Sequence, residues 1–342
     1  MKKLAGAVNL IAAFQFAAGA AFADDFYLKR QVNMIVGSAP GGGYDIYARL
    51  VARHLPKFID GTPTIVVQNL PAAGSLVAMN TLANSAPRDG STIGAVQNHI
   101  GVEPVLGITG PTENARFDGR RMNWLGSTSR EVPVVVAWGN SPIQTFKDVL
   151  QREMIVGSSG VATADAVYAR VLNELVGSKF KIIDGYKSAS DLTLAAESGE
   201  VMGRAGWFVS GMLASHAQQI ADGKIRVLVQ LDFQKHPGLP NVPTIGEFLS
   251  DPLKRQQLEL SLSYLAAGRP FVAPPDVPAG RVKILRDAFM AAVKSPDYLA
   301  EAGKMRLDTS PMAGEDVQKL VERIYATPPD VVKSVRAIMS PK

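Results

Sequence analysis

Two glycine-rich segments of the chain carry the residue types best suited to binding an anion. The first, residues 37–45, reads Gly-Ser-Ala-Pro-Gly-Gly-Gly-Tyr-Asp and joins a predicted strand to a predicted helix. The consecutive Gly41, Gly42 and Gly43 let the backbone approach a ligand without interference from Cβ atoms, and the first helical turn presents unpaired N–H groups. We expect Asp45 to turn back and accept hydrogen bonds from loop or helix N–H groups, because it would otherwise repel an anion. The alternative is a plain flexible turn.

The second segment, residues 157–163, reads Gly-Ser-Ser-Gly-Val-Ala-Thr and also lies between a predicted strand and a predicted helix. Ser158, Ser159, Gly160 and Thr163 would supply hydroxyl and backbone donors around a second helix N-terminus, with Thr163 as its N-cap. Two such loops could face each other across one ligand. The alternative is an ordinary capped helix start.

Patterns typical of enzymes and of nucleotide sites are missing from the sequence. It contains no GxSxG, S-x-x-K, HExxH, GxGxxG or GxxxxGK[ST] pattern, and its four His residues show no spacing typical of a shared metal. We therefore expect no catalytic residue, no metal and no cofactor. One enzymatic alternative remains, a hydrolase with Ser158 or Ser159 as nucleophile, although no His lies near either in sequence. Asn98 and His99 follow a predicted strand, where either ligand contact or loop packing is possible.

Composition indicates a globular α/β protein of about two domains. The chain has 342 residues, of which 46% are hydrophobic and 20% charged, and it lacks cysteine, which excludes disulfides and thiolate metal sites. Residues 1–23 resemble an export signal, with Lys2 and Lys3 before an apolar stretch and cleavage expected after Ala23. Without those lysines the formal net charge falls from +5 to +3, and no basic run suggests nucleic-acid binding. We expect a soluble, exported protein.

Short β-branched runs alternate with amphipathic stretches, which predicts βαβ units and mostly parallel sheets. The clearest helix follows Thr163, buries one apolar face and ends at Gly177, and another runs from about residue 44 to 56. The helical tail from Pro270 onward is expected to pack on the first domain. Strands are predicted at residues 32–36, 64–68, 92–96, 132–138, 154–157, 179–183, 201–205 and 225–231.

The order of several short motifs resembles a known family. Residues 37–45 are followed by 66–75 (Val-Val-Gln-Asn-Leu-Pro-Ala-Ala-Gly-Ser) and 86–90 (Ala-Pro-Arg-Asp-Gly), and later landmarks lie at 157–163, 185–187, 199–201 and 239–244. Together they resemble the TctC-like (Bug family) extracytoplasmic solute receptors of tripartite tricarboxylate transporters, over essentially the whole mature chain.

The resemblance implies a two-domain α/β periplasmic binding protein, type II-like, which closes as a Venus flytrap with crossover strands as its hinge. It implies a small organic carboxylate as ligand, delivered to TctA/TctB-like membrane subunits, and a carboxylate held by backbone N–H groups, hydroxyls and bridging waters from one loop in each domain. Tyr44 replaces a smaller residue common in the family and would either line or narrow the pocket. The ligand-binding residues it implies are Ala39, Gly41, Gly42, Gly43 and Tyr44 in the first loop and Ser158, Ser159, Gly160 and Thr163 in the second.

Domain limits and the mode of recognition complete the expectations. We expect domain one at residues 24–130 plus 232–342, domain two at 131–231, and a monomer. A ligand-sensing subunit of a signalling system would use the same fold and remains open. Neither loop contains Lys or Arg, so helix dipoles are expected to bind the carboxylate. Lys187 and Arg204, expected at the surface, are the best candidates for an added charge. Gly42 and Gly43 are expected to need glycine for φ or for space.

Overall fold

The computed structural model describes residues 25–108, 110–161 and 163–340. The predicted export signal and its cleavage site lie outside the described residues. The strands are β1 (Gln31–Val36), β2 (Thr64–Asn69), β3 (Thr92–Ala95), β4 (Asn123–Ser127), β5 (Pro133–Trp138), β6 (Met154–Ser158), β7 (Phe180–Asp184), β8 (Gly203–Phe208), β9 (Ile225–Gln230), β10 (Pro270–Ala273) and β11 (Met312–Ala313).

The helices alternate with these strands through most of the chain and dominate its end. They are α1 (Gly43–His54), α2 (Leu76–Asn84), α3 (Glu103–Leu106), α4 (Phe146–Gln151), α5 (Ala164–Val176), α6 (Ala189–Ser198), α7 (Val209–Ala221), α8 (Pro252–Ser263), α9 (Ala279–Lys294), α10 (Pro296–Lys304), α11 (Gly314–Tyr325) and α12 (Pro329–Met339). None of the helices within the described ranges combines the length and the apolar composition needed to cross a membrane.

The strands form two mixed sheets, which confirms the predicted α/β class. The first has the order β11-β4-β10-β3-β1-β2 and the second β7-β6-β8-β5-β9. Parallel pairing is limited to β2-β1-β3 and β7-β6-β8, while β10, β11 and β5 run antiparallel to their neighbours. The prediction of mostly parallel sheets was therefore wrong for half of each sheet. Only residues 128–132 join β4 to β5, so β5 enters the second sheet at the edge where β8 ends and must run against it.

Apolar patterning explains the elements that hold the loops. Every second residue of β1, namely Val32, Met34 and Val36, is fully buried, and all six residues of β5 are buried. Helix α5 buries one apolar face against β6 and β8 and ends, as predicted, at Gly177 with φ +78°. Helices α1 and α9 share a buried cluster with β1, β3 and β10. Each sheet thus gives a rigid base to the helix that follows its glycine-rich loop.

The connection between the sheets is itself hydrogen-bonded to a second segment. The N–H of Glu131 donates to Leu265 O at 3.0 Å, and the N–H of Gly268 donates to Ser129 O at 2.8 Å. The C-terminal tail is only partly where we expected it. Helices α9 and α11 pack on β4 of the first sheet, but α12 packs on α5 and α8, because the apolar face containing Val331 and Val335 is covered there. The limits of the two domains stay a prediction.

Candidate functional site

The candidate site lies where parallel strands end. Loop one (residues 37–42) follows β1, and residues 97–99 follow β3, its parallel neighbour, so both lie at one edge of the first sheet. Loop two (residues 159–163) follows β6, and α7 follows the parallel β8. Because β10 and β5 run antiparallel, they begin at these same edges and bring residues 269 and 131 to them. Carboxyl ends of parallel strands are where α/β proteins bind ligands.

Side chains from outside loop one hold it in place. Asp45 Oδ2 accepts a hydrogen bond from the Gly41 N–H at 2.8 Å, which confirms that Asp45 turns back. Asn69 Nδ2 donates to Asp45 Oδ1 at 2.8 Å and to Ser38 O at 2.9 Å. Burial alone would raise the pKa of Asp45, but bonds from Arg49, Asn69 and Gly41 outweigh it and hold that pKa below its usual value. Asp45 is therefore ionised, and the hydrogen bonds that it accepts hold loop one in place.

The N-terminus of α1 carries no side-chain cap. Its N-cap is Gly42, with φ −73°, and no side chain accepts from its first N–H groups among the described residues. The positive φ falls at Gly41, +77°, so the expectation that Gly42 or Gly43 needs glycine for φ was wrong. A Cβ at Gly43 would lie 3.6 Å from Arg269 Nη2, an ordinary van der Waals contact. Ala39 is exposed. The free N–H groups are thus accessible from solvent.

Loop two is held mainly by hydroxyls at its two ends, and Arg170 in α5 adds one bond from its Nη2 to Val161 O at 2.7 Å. Ser158 is fully buried, and its Oγ accepts from the Gly160 N–H at 3.1 Å and donates to Gly160 O at 2.9 Å. Thr163 Oγ1 lies 2.8 Å from both Gly160 O and Ser158 Oγ. Thr163 occupies the N-cap position, but its hydroxyl bonds within the loop, so the expected side-chain cap of α5 was wrong. Ser159 is exposed. A second uncapped helix N-terminus results.

The first turn of α5 contains a buried ion pair. Arg204 Nε and Nη2 donate to Asp165 Oδ1 and Oδ2 at 3.1 and 2.9 Å, and Arg204 is only 6% exposed. The expected surface position of Arg204 was therefore wrong, because its guanidinium is needed to neutralise Asp165 beneath the helix and also lies over the Trp207 ring. Lys187 is exposed, as expected. The guanidinium of Arg204 is therefore the ion-pair partner of Asp165.

Tyr44 connects loop one to residues 97–99. Its hydroxyl accepts from the Asn98 N–H at 3.2 Å. His99 is 8% exposed, and its ring packs edge-on against Tyr264 at 6.5 Å. Burial lowers the pKa of His99 to about 4, so its imidazole is neutral at pH 7. Within the described part of the chain His99 Nε2 has no hydrogen-bond partner. The structure thus brings Asn98 into contact with Tyr44 at the start of α1 and packs His99 on Tyr264, while their contact with ligand stays a prediction.

Sequence reasoning missed Arg269, which lies between these parts. Its guanidinium stacks 4.3 Å from the centre of the Tyr44 ring, and its Nη2 lies 2.7 Å from Glu131 Oε1. Its position depends on the antiparallel start of β10, more than 200 residues beyond loop one. The only local signal is a Gly-Arg-Pro sequence before a short apolar run.

Two side-chain contacts connect the sheets beneath the loops. The hydroxyls of Tyr168, in α5, and Tyr264 lie 3.2 Å apart. Ser210, in the first turn of α7, donates to Glu131 Oε2 at 3.0 Å. Among the residues described, no hydrogen bond or ion pair joins loop one directly to loop two, and no group of three or more His, Asp or Glu could hold a metal ion.

Comparison with known proteins agrees with this architecture. The family model described as the tripartite tricarboxylate transporter family receptor, TctC, matches residues 47–335. The chain belongs to the TctC family. Loop two lies inside the matched range and loop one just before it. A UPF0065 protein from the gbd 5′ region of Cupriavidus necator is 25% identical over 290 residues, which cover 83% of this chain and 81% of the relative.

Solved structures show the same fold. A TctC solute-binding protein from Polaromonas, without ligand, aligns with a TM-score of 0.71 at 18% identity, over 90% of this chain and 99% of that one. MatC from Rhodopseudomonas palustris, with bound malate, aligns with a TM-score of 0.58 at 19% identity, over 89% and 99%. The predicted family and the two-domain periplasmic-binding-protein fold are confirmed. TctC proteins are receptors and not enzymes, and Ser158 Oγ contacts only Gly160 and Thr163 among the described residues.

Proposed function

We propose that this TctC receptor binds a small organic carboxylate between loop one and loop two. The observation that carries the proposal is the pair of uncapped helix N-termini, one at the end of a parallel strand in each sheet. Each terminus presents N–H groups and the positive end of a helix dipole, which contributes about 0.3 to 1 kcal/mol toward an anion and more when partly buried. The malate bound by the structural relative MatC supports this ligand class.

The proposed ligand contacts are those of the two loops and their neighbours. They are Ala39, Gly41, Gly42, Gly43 and Tyr44 from the first sheet, Asn98 and His99 beside them, and Ser158, Ser159, Gly160 and Thr163 from the second. Ser158 acts by shaping loop two, because its hydroxyl is already bonded inside the loop. Ser159 is free to reach the ligand with its exposed hydroxyl.

Capture would close the two sheets on each other about the connections between them. We assign residues 24–130 and 232–342 to one domain and residues 131–231 to the other, with residues 128–132 as part of the hinge. A ligand drives closure only through contacts it makes better in the closed state, and bridging both helix termini is such a contact. The closed receptor, exported after cleavage at Ala23 and monomeric, would then deliver its ligand to TctA/TctB-like membrane subunits.

A thermal-shift and calorimetric panel tests this function. Acetate, benzoate, succinate, malate, adipate and citrate are added to the purified protein, with succinamide as the uncharged control. A ligand at about 100 times its Kd stabilises the folded state by about 2.7 kcal/mol, which raises Tm by about 4 °C for a chain of this length. We expect at least one acid, and not succinamide, to do so. If no acid binds, the proposed function is wrong.

Glycine variants test whether the ligand lies at loop one. Gly43 begins α1 and Gly280 lies in the first turn of α9. A Cβ at Gly43 would lie 3.6 Å from Arg269 Nη2, and one at Gly280 would meet open space. Gly43→Val should weaken binding of the active acid by about tenfold or more, or 1.4 kcal/mol, because it fills the space beside the free N–H groups. The matched control Gly280→Val should bind normally. Equal affinity in the two variants would place the ligand elsewhere.

A further inference from the structure

Arg269 places a positive charge beside the first residue of α1. Its Nη2 lies 3.6 Å from the position that a Cβ of Gly43 would take, and its guanidinium covers the Tyr44 ring at 4.3 Å. Gly43 and Tyr44 are the first two helical residues, whose N–H groups have no intrahelical acceptor. A carboxylate bound at this helix terminus would therefore meet two sources of positive potential at once.

The guanidinium has donors to spare. An arginine carries five N–H donors in a planar fork. Of those of Arg269, Nη1 donates to Gly268 O at 3.1 Å, Nη2 pairs with Glu131 Oε1 at 2.7 Å, and the Tyr44 hydroxyl accepts one further hydrogen bond. Arg269 Nε is buried and has no acceptor within the described ranges. The side chain is 17% exposed, so part of it reaches solvent.

The neighbours of Arg269 fix the position of its guanidinium and leave N–H donors available for a ligand. Glu131 is 2% exposed; its Oε1 is the ion-pair partner of Arg269, and its other oxygen, Oε2, accepts from Ser210 at 3.0 Å. Tyr44 supports one face of the guanidinium and Tyr47 lies 5.5 Å away. A guanidinium held by packing and by a buried counter-ion loses little freedom when it binds a ligand. Packing on Tyr44 thus positions the guanidinium, and Glu131 balances its charge.

We propose that Arg269 is a specificity-determining ligand contact, whose guanidinium donates to the carboxylate held at the N-terminus of α1. The inference rests on the proposed function and corrects the expectation that dipoles alone recognise the ligand. The receptor then discriminates an ionised carboxylate from the corresponding amide, because the amide cannot accept from the guanidinium as a charged partner.

Calorimetric titration of wild type and Arg269→Gln with succinate, malate and adipate tests the proposal. Truncating one partner of a buried charged contact weakens binding by roughly thirtyfold or more, and we expect a loss of at least about tenfold for the acid that binds best. The matched control is Arg53→Gln. It removes a positive charge from the last turn of α1, where Arg53 forms an exposed pair with Glu301, and this variant should bind the acids as wild type does. Equal affinity in Arg269→Gln and wild type would overturn the proposal.

A second pair of variants separates ligand contact from a structural role. In Glu131→Gln the amide keeps an acceptor for Ser210 while Arg269 loses its counter-ion, so the acids should bind at least as tightly as to wild type. In the double variant Glu131→Gln/Arg269→Gln both charges are gone and affinity should fall at least about tenfold below that of Glu131→Gln. Equal affinity in these two variants would make Arg269 only a partner of Glu131. Absence of acid binding to wild type would instead overturn the proposed function itself, and the inference with it.

Discussion

Loop one and loop two hold equivalent places in their sheets but are stabilised by different means. Loop one depends on side chains from elsewhere, since Asp45 and Asn69 bind its backbone and Arg269 lies beside its end. Loop two is held mainly by the hydroxyls of Ser158 and Thr163 at its two ends, which bond to each other and to Gly160, while Arg170 adds one bond to Val161 O. Changes outside loop one should therefore alter binding, whereas loop two should respond mainly to its own residues.

The acidic residues in the first turns of α1 and α5 also differ, in the exposure of their arginine partners. Asp45 in α1 pairs with Arg49, whose side chain is 45% exposed, while Asp165 in α5 pairs with Arg204, which is 7% exposed. Each arginine offsets a negative charge near a helix N-terminus that is proposed to bind an anion. Exposure determines how much each pair contributes to stability, because water screens the outer pair and not the inner one.

The largest expected effect is on the stability of the second sheet. Arg204→Gln leaves Asp165 buried without its counter-ion and should lower the free energy of unfolding by about 3 kcal/mol or more. Arg49→Gln should lower it by less than about 1 kcal/mol, since Arg49 is half exposed and the buried Asp45 keeps its bonds from Gly41 and Asn69. Urea denaturation of both variants measures the difference. Equal losses would show that the two ion pairs do not differ as their exposure implies.

Acid should act on the first-sheet side of the site through His99. Burial lowers its folded pKa to about 4, while the unfolded value is near 6.5, so below pH 6.5 only the unfolded state takes up the proton. This group's contribution to stability is complete above pH 6.5 and is lost as the pH falls toward 4, by about 3 kcal/mol in total.

Replacing the imidazole tests this pH dependence. His99→Phe keeps an aromatic ring against Tyr264 and removes the titrating nitrogen atoms, including the unpaired Nε2. Melting temperatures of the variant should fall less than those of wild type between pH 6.5 and 4.5. Parallel curves for the two proteins would mean that His99 takes up its proton equally in both states.

The smallest effects should distinguish the two ways of bracing a loop. Asp45→Ala removes acceptors for Gly41, Asn69 and Arg49 and should cost about 2 kcal/mol of stability and weaken acid binding. Ser158→Ala removes contacts only within loop two and should cost about 1 kcal/mol. Denaturation and calorimetry of both variants provide the comparison. A larger loss for Ser158→Ala would reverse our account of which loop depends on distant residues.

The sequence predicted the elements whose signals are local. Alternating burial in β1, the apolar face of α5 and the stop at Gly177 are all properties of short windows. It did not predict β4, β10 or β11 as strands, because Gly126 interrupts β4, β10 lies in a Pro-rich segment typical of a turn, and β11 has only two residues. Antiparallel direction was missed because it depends on where the chain crosses between sheets.

The candidate site likewise contains residues that local sequence signals predict and residues that only long-range contacts bring together. Glycines, hydroxyls and Asp45 mark the two loops in sequence, and their positions after β1 and β6 follow from the strand pattern. Arg269 and Glu131 reach the site only through long-range pairing, and no local pattern separates Arg269 from a surface arginine. The burial of Arg204 was missed for the same reason, because its partner Asp165 lies 39 residues earlier.

The central claim is that one carboxylate is bound between the N-termini of α1 and α5. Backbone amide chemical shifts, followed while the best-binding acid of the panel is added, test it most directly. The account predicts the largest shifts at Gly43 and Tyr44 and, saturating at the same ligand concentration, at Ala164 and Asp165. Shifts at only one of these helix termini, or at neither while the acid binds, would contradict it.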